Sequence, residues 1–134
     1  EWRHTPGHVI DIVPTVLELA GGKPPATWEG KPVPPPPGKS LMPAFARDGT
    51  VARDDLWWEH EGNRAIRVGD GKLVAAGKDA PWELYDLGAD RCETTNLAAK
   101  HPEKARALEE QWTRRRNEFH ELARRDAPAG KPGR

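Results

Sequence analysis

Between Val9 and Ala20 the apolar residues Ile12, Val13, Val16, Leu17 and Ala20 recur at spacings of three and four. That period predicts a helix with one broad apolar face. Asp11 stands where an N-cap would, and Pro14 falls in the first turn, where a missing amide costs little. Gly21-Gly22 supplies a left-handed stop. Such a face needs a partner surface, yet the chain opens with Glu1 and reaches the helix almost at once. This predicts a piece of a longer protein whose upstream part covers the helix.

The pattern then breaks. Lys23 to Leu41 holds Pro24-Pro25 and the run Pro34 to Pro37, which forbid helix and favour polyproline geometry, so the stretch reads as a linker. Leu41 to Ala46 reads as a short helical turn. From Leu56 the period changes to that of strands. Leu56 to His60 is aromatic-rich, Glu61-Gly62-Asn63 is a turn signal, and Arg64 to Val68 alternates, with Ala65 and Ile66 competing for the inner face. Gly69-Asp70-Gly71 is a tight turn, and Lys72 to Ala75 pairs back. Trp82 to Leu87 alternates again, with Trp82, Leu84 and Asp86 on one face.

Pro102 to about Arg124 has the clearest helical period. Pro102 suits the first position, Glu103 complements the positive end of the dipole, and Ala105, Leu108, Trp112, Phe119 and Leu122 share a face that Arg115 interrupts. After it, Pro, Gly and Lys mark a disordered tail. The pattern therefore predicts an α+β unit: a small antiparallel sheet of about four strands with one long amphipathic helix packed on one face.

Composition narrows the function. The 134 residues hold 21 Lys and Arg against 21 Asp and Glu, so no overall basic field attracts nucleic acid or an anionic membrane. No apolar stretch approaches the roughly 20 residues that span a bilayer. Six Trp enlarge an otherwise lean core. The single cysteine, Cys92, cannot form an internal disulfide, and its neighbours Asp90 and Glu93 oppose a thiolate. Asp54-Asp55 reads as a solvated turn rather than a cation site, because nothing nearby supplies the other oxygens a hard cation needs. The five histidines show no metal-ligand spacing; His101 precedes Pro102 and can help cap the last helix. His60 stands apart. It sits at a strand end in Trp58-Glu59-His60-Glu61-Gly62-Asn63-Arg64, and an imidazole beside a guanidinium there can hold an anionic or hydroxyl-rich substrate.

Several short motifs together carry a resemblance. They are His8 to Gly21, Gly38-Lys39-Ser40-Leu41, His60 to Arg67, Gly69 to Val74, Trp82 to Leu87, then Asp90, Glu93, Asn96-Leu97 and His101-Pro102-Glu103. In order and spacing they resemble the C-terminal region of arylsulfatase-type sulfatases, within the alkaline phosphatase-like superfamily, from Arg3 to about Arg125. Gly71 stands where relatives often have Trp, and Arg115 where many carry a second aromatic.

The resemblance implies that 1–22 closes a large α/β sulfatase domain, 23–50 is a Pro-rich linker, 51–125 is the C-terminal subdomain and 126–134 a disordered tail. It implies hydrolysis of sulfate esters by a formylglycine, made from Cys or Ser in a C/S-x-P-x-R signature, with calcium and basic side chains on the sulfate. No such signature follows Cys92, so no catalytic residue, metal ligand or bound cofactor is expected in this chain, and in isolation it should be inactive. Its expected part is packing against the upstream sulfatase domain and a rim of the substrate pocket, with His60, Asn63 and Arg64 as substrate-binding residues. The rim reading places His60 and Arg64 close together, facing that domain. The substrate would be a sulfated small molecule or sulfated sugar, and the family suggests a periplasmic or secreted enzyme. Two other readings stand beside it: a non-catalytic carbohydrate-binding or interaction module, and the tail of a related phosphoesterase.

Overall fold

The computed structural model describes residues 1–126; the tail expected at 126–134 lies outside the described residues except for Asp126. The chain divides into two compact units, Glu1–Arg53 and a second that begins at Asp54.

In the first unit a single 3-10 turn, Val9–Asp11, leads into helix α1, Ile12–Leu19. Asp11 does not cap α1 as the sequence suggested. His8 Nδ1 accepts the Ile10 N–H (3.3 Å), and the Asp11 carboxylate reaches back to the His8 N–H (2.7 Å). That carboxylate is fully buried; its Oδ1 accepts the Lys39 N–H (2.8 Å), and the Oδ2 that meets His8 also pairs with the Arg53 guanidinium. A buried charge is tolerable only when it is paired and hydrogen-bonded. The Thr15 hydroxyl donates to the Asp11 carbonyl (2.6 Å) and accepts the Leu41 N–H (2.9 Å). Between these ties the backbone at Gly38 passes so close to Ile10 that a Cβ there would lie 2.0 Å from the Ile10 carbonyl oxygen. The stretch Gly38-Lys39-Ser40-Leu41 is thus clipped to the start of α1. The apolar residues Ile12, Val13, Val16 and Leu19 are exposed.

The Pro-rich stretch is not linker throughout. Strands β1, Thr27–Trp28, and β2, Lys31–Pro32, form a small hairpin, closed by Glu29-Gly30 with both residues at positive φ (+49° and +76°). Proline is tolerated here because each strand is an edge. Helix α2, Met42–Ala46, is the expected short helix.

The second unit is the α+β arrangement the pattern predicts. Strands β3 (Leu56–His60), β4 (Asn63–Val68), β5 (Gly71–Ala75) and β6 (Glu83–Asp86) form an antiparallel meander in the order β3-β4-β5-β6, and helix α3 spans Pro102–Asp126. Pairings of Trp57 with Ile66, Ile66 with Leu73 and Leu73 with Leu84 put these four side chains on one face. Ile66, Leu73 and Leu84 form the core there with Leu108 and Trp112 of α3, and Trp57, Trp82 and Ala105 pack around them. Ile66 takes the helix side, and Ala65, on the other face, is buried as well. Glu61-Gly62 closes the β3–β4 hairpin with both residues at positive φ (+50° and +83°), the type I′ pattern that matches strand twist.

Three details qualify the sequence reading. Phe119 stacks on Trp57 (5.3 Å), but it and Leu122 are exposed, so the packed part of the α3 stripe ends earlier than its period suggests. Arg115 interrupts the stripe because it has a partner. Its Nε donates to Asp55 (2.9 Å), as does the Gln111 side-chain amide (2.9 Å). Asp55, read as solvated, is only 9% exposed. The residues between β6 and α3 also act locally. Asp90 accepts the N–H groups of Thr94 (2.7 Å) and Thr95 (2.8 Å), and Asn96 Oδ1 accepts those of Leu84 and Ala98. The Leu97 N–H donates to the Leu84 carbonyl (2.7 Å), holding this segment along β6.

Candidate functional site

His60 ends β3 and Asn63 begins β4, paired directly across the Glu61-Gly62 turn. Paired residues share a face and neighbours alternate, so His60 and Asn63 lie on the face away from α3. Arg64 pairs with Glu59 and lies on the α3 face. The register thus brings His60 and Asn63 together and sends the side chain of Arg64 to the opposite side.

The three side chains also differ in how they are engaged. His60 is 83% exposed, with Nε2 3.8 Å from the Glu61 carboxylate, an ion pair only when the imidazole is protonated. Asn63 Nδ2 donates to the His60 carbonyl (3.1 Å), and the residue is exposed. Arg64 is tied down. Its Nη1 donates to the carbonyls of Gly77 (2.9 Å) and Lys78 (2.7 Å), its Nη2 to that of Ala80 (2.8 Å), and its guanidinium lies 4.5 Å from the centroid of the Trp82 ring. The chain at Lys78 in turn abuts the turn: a Cβ on Gly62 would lie 3.1 Å from the Lys78 backbone nitrogen. The sequence did not single out the loop from Gly77 to Ala80. Its Gly and the following Pro81 mark a loop, but nothing in the residues says that its carbonyls converge on Arg64.

Exposed imidazole and amide groups at a hairpin end can exchange hydrogen bonds with hydroxyls or sulfate oxygens. No nucleophile stands beside a base there. Cys92 is exposed and followed by Glu93-Thr94-Thr95. Among the described residues no group of three or more His, Cys, Asp or Glu is placed to hold a metal ion, and Asp55 is already engaged by Gln111 and Arg115. These residues do not fit calcium.

No family model matches the chain. Among curated proteins it is 40% identical over 110 residues to an uncharacterized sulfatase of Schizosaccharomyces pombe, covering 78% of this chain and 20% of that protein. It is 34% identical over 111 residues to a sulfatase of Formosa agariphila, covering 71% of this chain and 19% of that protein. Three solved structures share the fold. Ps i-CgsB in complex with k-i-k-neocarrahexaose has a TM-score of 0.62 at 20% identity, over 82% of this chain and 24% of that one. BT4656 in complex with its substrate D-glucosamine-2-N,6-O-disulfate has 0.55 at 24%, over 91% and 25%. A 2-O GAG sulfatase has 0.52 at 26%, over 83% and 26%. The chain belongs to the sulfatase family, as a region that spans about a fifth of the length of the curated relatives it matches.

Proposed function

We propose that this chain is the C-terminal region of a sulfate-ester hydrolase, and that it supplies packing and one rim of the pocket for a sulfated sugar. The observation that carries the reading is the 40% identity to a sulfatase across 110 residues. In this reading the formylglycine nucleophile and the calcium ion belong to the upstream domain, and the isolated chain hydrolyses no sulfate ester. The sugar substrate is supported by the 2-O GAG sulfatase and by the disulfated glucosamine bound to a structural neighbour.

His60 and Asn63, exposed at the β3–β4 turn, are the groups of this chain offered to the substrate's hydroxyl and sulfate oxygens. Arg64 belongs to the same rim by holding the adjoining loop. Rim contacts act on the leaving group, so they should discriminate between substrates rather than set the rate of sulfate cleavage itself. The test is His60→Ala in the full-length enzyme. It should lower kcat/KM for a sulfated sugar more than for para-nitrophenyl sulfate. Equal losses would move His60 to the sulfate itself, and no loss with either would remove it from the site. Turnover of para-nitrophenyl sulfate by the isolated chain would overturn the division of labour.

A further inference from the structure

We infer that Lys78, presented on a loop that Arg64 holds in shape, selects substrates carrying a second anionic group besides the sulfate that is hydrolysed. This rests on the pocket-rim reading above and adds to it a residue and a substrate feature.

Residues 76–81 carry no regular strand or helix, yet three of their carbonyls are fixed. The Arg64 guanidinium binds those of Gly77, Lys78 and Ala80 at 2.7–2.9 Å. That guanidinium lies over Trp82, and Trp82 meets the buried Trp112 edge-on at 5.5 Å. The loop is therefore anchored to the core through one planar group, whose rigid fork suits several carbonyls at once in a way a lysine ammonium would not. Its other flank is set by the hairpin turn. Gly62 leaves room for the Lys78 backbone and Cβ at distances where a side chain would crowd them. The turn bearing His60 and Asn63 and the loop bearing Lys78 thus form one continuous end of the sheet.

With the loop carbonyls drawn to Arg64, the Lys78 side chain is exposed, and among the described residues its ammonium has no carboxylate within 4.0 Å. The nearby Glu61 carboxylate is beside His60 instead. An unpaired ammonium on a braced loop beside a substrate rim is suited to an anion as a point charge. A sulfated sugar offers two such anions, a further sulfate or a uronate carboxylate.

The experiment uses the full-length enzyme and four substrates. These are a hexosamine with one sulfate ester, the same hexosamine with an added N-sulfate, a disaccharide whose second anion is a uronate carboxylate, and para-nitrophenyl sulfate. For Lys78→Ala, the ratio of kcat/KM for a doubly anionic sugar to that for the monosulfated sugar should fall about tenfold, as for loss of a charge-assisted hydrogen bond. Lys78→Arg should keep the ratio, since it keeps the charge. Arg64→Lys should lower the ratio through KM, because it releases the loop rather than a substrate contact. Which doubly anionic sugar loses its advantage tells a sulfate partner from a carboxylate one. An unchanged ratio in Lys78→Ala overturns the inference. If the wild-type enzyme cleaves none of the sulfated sugars, the pocket-rim reading itself fails, an outcome distinct from an unchanged ratio.

Discussion

Trp57 and Trp112 stack across the sheet–helix interface with ring centroids 5.9 Å apart, and each indole N–H is bonded to the other's element. Trp57 Nε1 donates to the Trp112 carbonyl, and Trp112 Nε1 donates to the Trp58 carbonyl, both at 3.1 Å. An indole is well suited to an interior only when its N–H finds a partner, and here the two bonds also fix where α3 lies along the sheet. At 6% exposed, Trp112 is the largest side chain in the core of this unit. Trp112→Ala should destabilise it by about 3–5 kcal/mol, from lost burial and the cavity left behind. Chemical denaturation checks this, and an unchanged midpoint would contradict the packing described.

Asp55 and Arg115 form the polar counterpart of that contact. Arg115 is held above its ordinary pKa chiefly by its hydrogen bond to Asp55. Removing the guanidinium leaves a nearly buried carboxylate with Gln111 as its remaining hydrogen-bond donor. Arg115→Leu should therefore cost about 1–2 kcal/mol, discounted because Arg115 is itself 37% exposed. Adding Asp55→Asn should restore part of the loss. A double-mutant cycle giving no coupling would show that the pair contributes nothing.

The β3–β4 turn allows two opposite effects at adjacent positions. Gly62→Ala meets both a positive φ and the Lys78 backbone, and should destabilise by about 1–2 kcal/mol. Glu61 sits at φ +50° in a position where Asn or Gly is favoured, so Glu61→Asn should stabilise by about 0.5 kcal/mol. Thermal midpoints moving in the same direction for both would refute the turn assignment.

In the first unit, two carboxylates make stability fall in acid. Burial alone would raise the Asp11 pKa, but the Arg53 guanidinium and the N–H groups of Lys39 and His8 outweigh it and hold it below 3.8. Asp48 is lowered to about 2, first by the Thr5 hydroxyl and then by the His4 N–H. A folded-state pKa below the unfolded value means that the stabilisation is present above the unfolded value and lost as pH falls through the folded one. For Asp48 that window runs from 3.8 down to about 2. Amide signals of His4 and Thr5 followed by NMR on acidification should shift in this range, that of Lys39 should shift as Asp11 protonates below its ordinary value, and Asp48→Asn should abolish the change at His4 and Thr5.

Much of the second unit was legible beforehand because its signals are local. The change from a period of two to one near 3.6, the Glu61-Gly62 and Gly69-Asp70-Gly71 turns and the Pro102-Glu103 helix start each act within a few residues, and they located the four strands and the long helix. The small hairpin at 27–32 was hidden because prolines dominate its surroundings, whereas its Glu29-Gly30 turn repeats the pattern read correctly at Glu61-Gly62.

What the sequence determined by itself was where the second unit turns, which of its stretches are helix or strand, and, through ordered short motifs, the sulfatase family. What only the tertiary structure decided was which partner each polar side chain meets. Asp11 is a buried clip rather than a helix cap because Lys39 and Arg53, distant in sequence, arrive beside it. Arg115 breaks an apolar stripe because Asp55 lies across from it. Arg64 and His60, four residues apart, sit on opposite faces because the register pairs Arg64 with Glu59 and His60 with Asn63. A side chain's face follows from strand parity once the register is known, but its partner depends on segments that only the folded chain brings together.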